Sequence, residues 1–264
     1  MRYVYFTKTL KPLDVKGLIA FCKDAGLDGV DLAVRDGYAV NPGNMAQALP
    51  EAAKALSGEG LTIGLVTADT GVNDPASKTA KGLFEASAAA GVPAIKIGYF
   101  PYKGDFNANF KDARTKLAGF AKLAEEHKVK ACVHTHSGNY IPNNCATLRM
   151  LLQDLDAHHV GAFVDTGHTA VNGGPFRMEL DLARPHLSLL AIKDMVWEKG
   201  AKGWAYHVAP AGEGIVRWSE VAQAIKESKF NGTISLHGEY ETKDQAERLQ
   251  KAKDELAFLK KLLS

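Results

Sequence analysis

His134 and His136 are separated by one residue, as are His237 and Glu239. Asp165, Lys193 and Asp194 each follow a short apolar run, in GAFVDTG and LSLLAIKD. Side chains two apart on an extended chain point to the same side, so each spaced pair offers two reactive groups to one face. A mixture of imidazole and carboxylate suits a divalent transition ion such as manganese, zinc, cobalt or iron. Asp165 and Glu239 offer hard anionic oxygens; His134, His136 and His237 offer borderline nitrogen. A bound metal polarises a sugar carbonyl or alkoxide and makes the adjacent C–H acidic. His136, Lys193 and Glu239 are the candidates to move that proton, and Lys193 is also placed to stabilise a developing enolate oxygen.

Each residue has a plainer reading. A lone strand-end histidine is commonly structural, Asp165 in DTGH could cap the following turn, and Lys193–Asp194 could be a solvated ion pair. Their joint occurrence favours an active site, because buried charges are costly unless paired or bound to a metal. Around the cluster, Arg35, Lys96, Lys193 and His168 are placed to meet a phosphate, a carboxylate or hydroxyls. Tyr99 and Trp197, with Trp204 beyond, could stack on a sugar face or pack the rim. The other histidines, His127, His158, His159, His186 and His207, take no role. There is no HExxH helix, no GxSxG elbow and no phosphate-binding loop.

The elements that must position these groups are legible. Short strand-like runs occur at 2–6, 29–34, 61–68, 94–100, 130–136, 161–167, 187–194 and 232–239. Between them lie longer segments with apolar residues at three- and four-residue spacing, often closed by glycine. Eight strands and eight helices in strict alternation predict one (β/α)8 TIM barrel over residues 1–264, a single domain, with the site at the C-terminal strand ends. Asp31, Lys96, His134, Asp165, Lys193 and His237 fall there. No GxGxxG follows the first strand, which argues against a dinucleotide fold. The stretch from Met195 to Gly214 is long for a loop, so it is a lid or a surface hairpin.

Composition bounds the rest. The 264 residues carry 32 basic and 30 acidic side chains, a net charge of +2, and are 46% hydrophobic. That excludes disorder and leaves no surface for nucleic acid or an anionic membrane. The start, MRYVYFTKTLKPLD, has no apolar leader. Three cysteines, Cys22, Cys132 and Cys145, without CxxC spacing suit a reducing compartment. A cytoplasmic enzyme of small molecules is expected.

The order GVDLAVR, HTHSGNY, VDTGH, AIKD, GEG and ISLHGEYE resembles the xylose-isomerase-like TIM-barrel superfamily over essentially the whole chain. That group includes sugar phosphate isomerases and epimerases and the endonuclease IV type. The resemblance implies one divalent metal held by Glu on strand five, Asp on six, His on seven and Glu on eight. Only the aspartate matches, at Asp165. His134 stands at the strand-five position, Ala191 at strand seven, and His237 at strand eight with Glu239 two residues on. The expected site is therefore rearranged: His134, Asp165 and His237 as ligands of Mn, Zn, Co or Mg, and His136, Lys193 and Glu239 as catalytic groups. Arg35, Lys96, Tyr99, His168 and Trp197 bind the substrate. The leading expectation is an isomerase or epimerase of a sugar or sugar derivative. The alternatives are a lyase or hydrolase of oxidised sugars, and a sugar-binding protein without turnover. Oligomeric state is not legible in the residues, though barrels of this kind often form homodimers.

Overall fold

A computed structural model describes residues 1–264. The apolar runs become eight parallel strands: β1 Arg2–Phe6, β2 Gly29–Val34, β3 Thr62–Ala68, β4 Ala94–Lys96, β5 Lys130–His134, β6 Val160–Asp165, β7 Leu187–Ile192 and β8 Thr233–Leu236. Each pairs with its neighbour in sequence, and β8 closes on β1 from Arg2–Thr233 to Tyr5–Leu236. The result is the closed (β/α)8 barrel that the alternation predicts.

Alternation along each strand sorts the barrel interior into two layers. Val4, Leu65, Ala94, Cys132, Phe163, Leu189 and Ala191 form a dry inner cluster. Two residues further along several strands the inward position turns polar: Leu65 gives way to Thr67, Ala94 to Lys96, Cys132 to His134, Phe163 to Asp165, and Ala191 to Lys193. A separate cluster of 60 buried apolar residues fills the space between strands and helices. The apolar inner layer is therefore a floor, and the chemistry stands on it.

The helices are α1 Val15–Ala25, α2 Met45–Gly58, α3 Lys78–Ala89, α4 Phe106–His127, α5 Cys145–Leu152, α6 Thr166–Asn172, α7 Phe176–Ala183, α8 Trp218–Ser228 and α9 Gln245–Leu263. Several start on a side-chain cap that satisfies an otherwise orphan N–H: Asp14, Ser77, Asp105, Asn144 and Asp244. The alternation predicts one helix after β6, whereas two short ones follow it. None of these helices is long and apolar enough to cross a membrane.

Strand four also differs from expectation. The run 94–100 stays in the barrel only to Lys96. Gly98 and Tyr99 instead donate their N–H groups to the carbonyls of Val72 and Thr70, and Phe100–Pro101 pairs with Tyr140–Ile141. Glycine is needed at 98, since a Cβ there would lie 2.5 Å from the Thr70 carbonyl oxygen. The stretch after Lys193 is the hairpin of the two alternatives: Asp194–Gly200 pairs antiparallel with Gly203–Ala209.

Candidate active site

A cavity of about 120 Å³ opens at the C-terminal mouth of the barrel. His134, Lys193, His237 and Glu239 line one side; Arg35, Lys96 and Tyr99 line another, with His136 and Tyr140 between. A second hollow, about 210 Å³, lies between α6 and α8 and gathers no comparable set of reactive groups.

At the base of the cavity His134, Asp165 and His237 converge, with one ligand atom from each lying within 4.8 Å of the others. His134 Nε2 is 3.3 Å and His237 Nδ1 is 3.9 Å from Asp165 Oδ2. These three atoms are buried and have no hydrogen-bond partner. At the opposite edge of each ring an oxygen is near: the Tyr99 hydroxyl lies 3.1 Å from His134 Nδ1, and Asp31 Oδ2 faces His237 Nε2 at 3.4 Å, an ion-pair rather than hydrogen-bond contact. An outer oxygen at the far nitrogen is what orients a metal-binding imidazole. The donor set of two nitrogens and a carboxylate oxygen therefore fits a divalent cation, with His134 Nε2, Asp165 Oδ2 and His237 Nδ1 as the holding atoms.

Asp165 has two jobs. Its Oδ1 accepts the N–H of His168 and caps α6, which leaves Oδ2 for the cavity. The cap reading and the ligand reading are both true of this residue. Asp31 is held the same way. Thr67 donates to its Oδ1 at 2.6 Å and Ser235 to its Oδ2 at 2.8 Å, so a carboxylate inside the barrel is fixed behind His237.

The charges on this side are matched. Lys193 Nζ lies 2.6 Å from Glu239 Oε1 and 3.8 Å from Asp165 Oδ2, and Lys8 pairs with the other oxygen of Glu239. Burial penalises the Asp165 carboxylate, but His168, Lys193 and His134 outweigh it and hold its pKa below the usual carboxylate range. Burial likewise opposes Glu239 ionisation, and Lys193, His237 and Lys8 reverse it. For Lys193, burial favours the neutral amine, yet Glu239 and Asp165 raise its pKa, so it is a cation. Burial pushes the His134 ring down to about 3, which keeps it neutral and able to ligate. Against the same burial, Asp31 and Glu239 raise the pKa of His237.

His136 is different. Its Nδ1 lies 2.6 Å from the Ser137 carbonyl oxygen. A carbonyl only accepts, so Nδ1 carries the proton and Nε2 keeps its lone pair. Burial lowers the His136 pKa, which favours that neutral form. The ring sits at the cavity, 4.9 Å from Tyr99 and 3.9 Å from His168 between centroids.

His168, expected to touch substrate, stands behind this wall. Lys193 Nζ is 3.4 Å from His168 Nε2, and Ser137 Oγ is 2.8 Å from His168 Nδ1. An ammonium can only donate, so Nε2 accepts, Nδ1–H donates to Ser137, and Ser137 donates to the Tyr206 hydroxyl at 3.0 Å. His168 is thus a buried link that aims Lys193, with Tyr206 tying the hairpin to the site. Trp197, also expected at the substrate, does not line the cavity. It lies on the hairpin, 39% exposed, its ring 5.3 Å from Tyr206.

Asp194 anchors the feet of that hairpin. Its carboxylate accepts from the N–H groups of Met195, Gly212, Gly214 and Val216 and from Trp218 Nε1. It has no cation partner, so Lys193–Asp194 is not an ion pair. Sequence reasoning assigns no role to Lys8, Asp31, Ser137 or Tyr206. Asp31 alone had a signal, an acid inside an apolar strand run.

A closed barrel with reactive side chains collected at its C-terminal mouth is the architecture of a large class of α/β barrels. The family model for the xylose isomerase-like TIM barrel matches residues 19–262, and the chain belongs to that family. Among solved structures it is similar to a D-psicose 3-epimerase from Clostridium cellulolyticum H10, with 16% identity, a TM-score of 0.77 and 100% of both chains covered. It is also similar to a 3-keto-D-glucoside 4-epimerase from E. coli in its apo form, with 16% identity, a TM-score of 0.77 and 99% of both chains covered. A third likeness is the IOLI protein with a bound zinc atom, with 17% identity, a TM-score of 0.79, and 100% of this chain and 98% of that one covered. At such identities the likeness is one of fold. No curated protein sequence matches the chain significantly.

Proposed function

We propose that the chain is an isomerase or epimerase that moves a proton next to the carbonyl of a sugar or sugar derivative. The observation that carries this is the convergence of His134 Nε2, Asp165 Oδ2 and His237 Nδ1, buried and without partners, beside the Lys193–Glu239 pair. Two structural neighbours are sugar epimerases and a third binds zinc, which supports the reading. A divalent cation on those three residues supplies Lewis acidity that makes a carbonyl-adjacent C–H acidic.

The chain's own groups do the rest. His136 accepts the proton at Nε2. His136 lies just past β5 and Glu239 just past β8, three strands apart around the barrel. Glu239 returns or accepts a proton once substrate loosens its contact with Lys193. Lys193, held as a cation, faces the developing enolate oxygen. The rings of Tyr99 and Tyr140 pack edge-on against His136, 4.9 and 5.0 Å between centroids.

The test is metal analysis of the purified protein, followed by exchange of solvent deuterium into keto-sugars. Stoichiometric metal, and exchange lost in Asp165→Asn, are the expected results. Exchange that is unchanged in Asp165→Asn sinks the reading. Release of a fragment, rather than isomerisation at constant mass, would instead mark a lyase.

A further inference from the structure

Lys96 is 2% exposed and its Nζ has no hydrogen-bond partner. It lies 3.4 Å from the centroid of the Tyr99 ring and lines the cavity. No carboxylate comes within ion-pair reach of it. Arg35 lines the same cavity, and its buried Nε is also without a partner. Its Nη2 makes only a 3.3 Å bond to the Ala68 carbonyl. Asp165 and Glu239 are committed to Lys193 and Lys8, and Asp31 on β2 to Thr67, Ser235 and His237; Asp69 lies beyond ion-pair reach. Lys96 Nζ and Arg35 Nε are therefore buried donors with no acceptor in hydrogen-bond reach.

An unpartnered buried amine is costly. Burial, with Arg35 adding to it, pushes the Lys96 pKa well below the usual lysine value. An acceptor with negative charge would relieve both groups at once. We infer that Lys96 and Arg35 form an anion subsite in the cavity, which takes a carboxylate or phosphate group carried by the substrate. The substrate class is then an acidic keto-sugar: the anion is held on the β2–β4 side and the reacting carbon is presented to the β5–β8 side. The word sugar rests on the function proposed above; the anion subsite does not.

Calorimetric titration with D-fructose, D-fructuronate and D-fructose 6-phosphate tests it, and the last two separate carboxylate from phosphate. At least one acidic sugar is expected to bind about tenfold or more tighter than D-fructose. Lys96→Met is expected to erase that margin, and Arg35→Gln, at a more exposed position, to reduce it. Circular dichroism checks that both variants fold. Equal binding of neutral and acidic sugars, or a margin that survives both substitutions, overturns the subsite. If none of the three sugars binds, the sugar reading fails by itself. Titration with inorganic phosphate and with acetate then decides the subsite: saturation in the native protein that is lost in Lys96→Met supports it, and its absence overturns it.

Discussion

The two sides of the cavity handle buried charge in opposite ways. Around Lys193, His237 and Glu239 the charges are paired: Lys193 with Glu239 and Asp165, Lys8 with Glu239, and His237 with Asp31, which reaches in from β2. Lys96 and Arg35 have no carboxylate within ion-pair reach. A matched network fixes geometry in advance, which is what proton transfer and metal binding need. An unmatched amine and guanidinium favour negative charge from outside, which is what the proposed anion subsite needs.

Removing one charge from the matched side should have the largest effect. Asp165→Asn weakens a ligand and leaves Lys193 with one acid fewer; metal occupancy and solvent exchange should each fall about a hundredfold or more. Atomic absorption and deuterium incorporation measure the two separately. The same operation on the other side should leave the metal in place: Lys96→Met keeps full metal content but loses the preference for acidic sugars by about tenfold. If Lys96→Met strips the metal, the two sides are not independent and the contrast fails.

A smaller effect is expected behind the matched side. Asp31→Asn keeps the shape that Thr67 and Ser235 grip but removes the charge facing His237 Nε2. Metal affinity should drop about tenfold, the usual scale for an outer partner of a ligating histidine. The smallest effect lies outside the cavity. Glu255 is a buried acid with no ion pair, held by the N–H of Ala211 and the hydroxyl of Tyr240, with Lys251 acting on it only weakly. Burial raises it to about 7, from about 4.3 in an unfolded chain. Between those values the folded chain holds a proton that the unfolded chain has lost. Stability contributed by Glu255 is therefore complete below the lower value and declines as the pH rises through 7. Urea unfolding at pH 5 and pH 8 should show the decline, about 1–3 kcal/mol, and Glu255→Gln should remove it. An unchanged slope in the variant would mean that Glu255 does not titrate there.

The barrel was legible because eight apolar runs separated by helix-periodic segments leave few other solutions. The reactive strand ends were legible because His134, Asp165, Lys193 and His237 interrupt apolar runs at the inward phase. Two features escaped for local reasons. Lys96 ends β4 early because Gly98 and Tyr99 pass their hydrogen bonds to the 70–72 loop, a long-range choice that a β-rich run cannot announce. α6 begins on the cap that Asp165 itself supplies, and a seven-residue helix has too little periodicity to read. The partners of the site escaped because they come from afar. Lys8 meets Glu239 across 231 positions of sequence, and Ser137 meets Tyr206 across 69. Trp197 stands outside the cavity lining because it lies on a hairpin that an aromatic residue after a strand end does not announce.

Both ends of the hairpin stretch are gathered on the single carboxylate of Asp194, through N–H groups at Met195 on one side and Gly212, Gly214 and Val216 on the other. A Cβ at Gly214 would sit 2.2 Å from Asp194 Oδ1, so that seat is cut to fit. The hairpin between the two feet is thus held at its base by one carboxylate and along its length by the Ser137–Tyr206 bond. A change at Gly214 or Asp194 would therefore loosen the whole hairpin at its root, though neither residue lines the cavity.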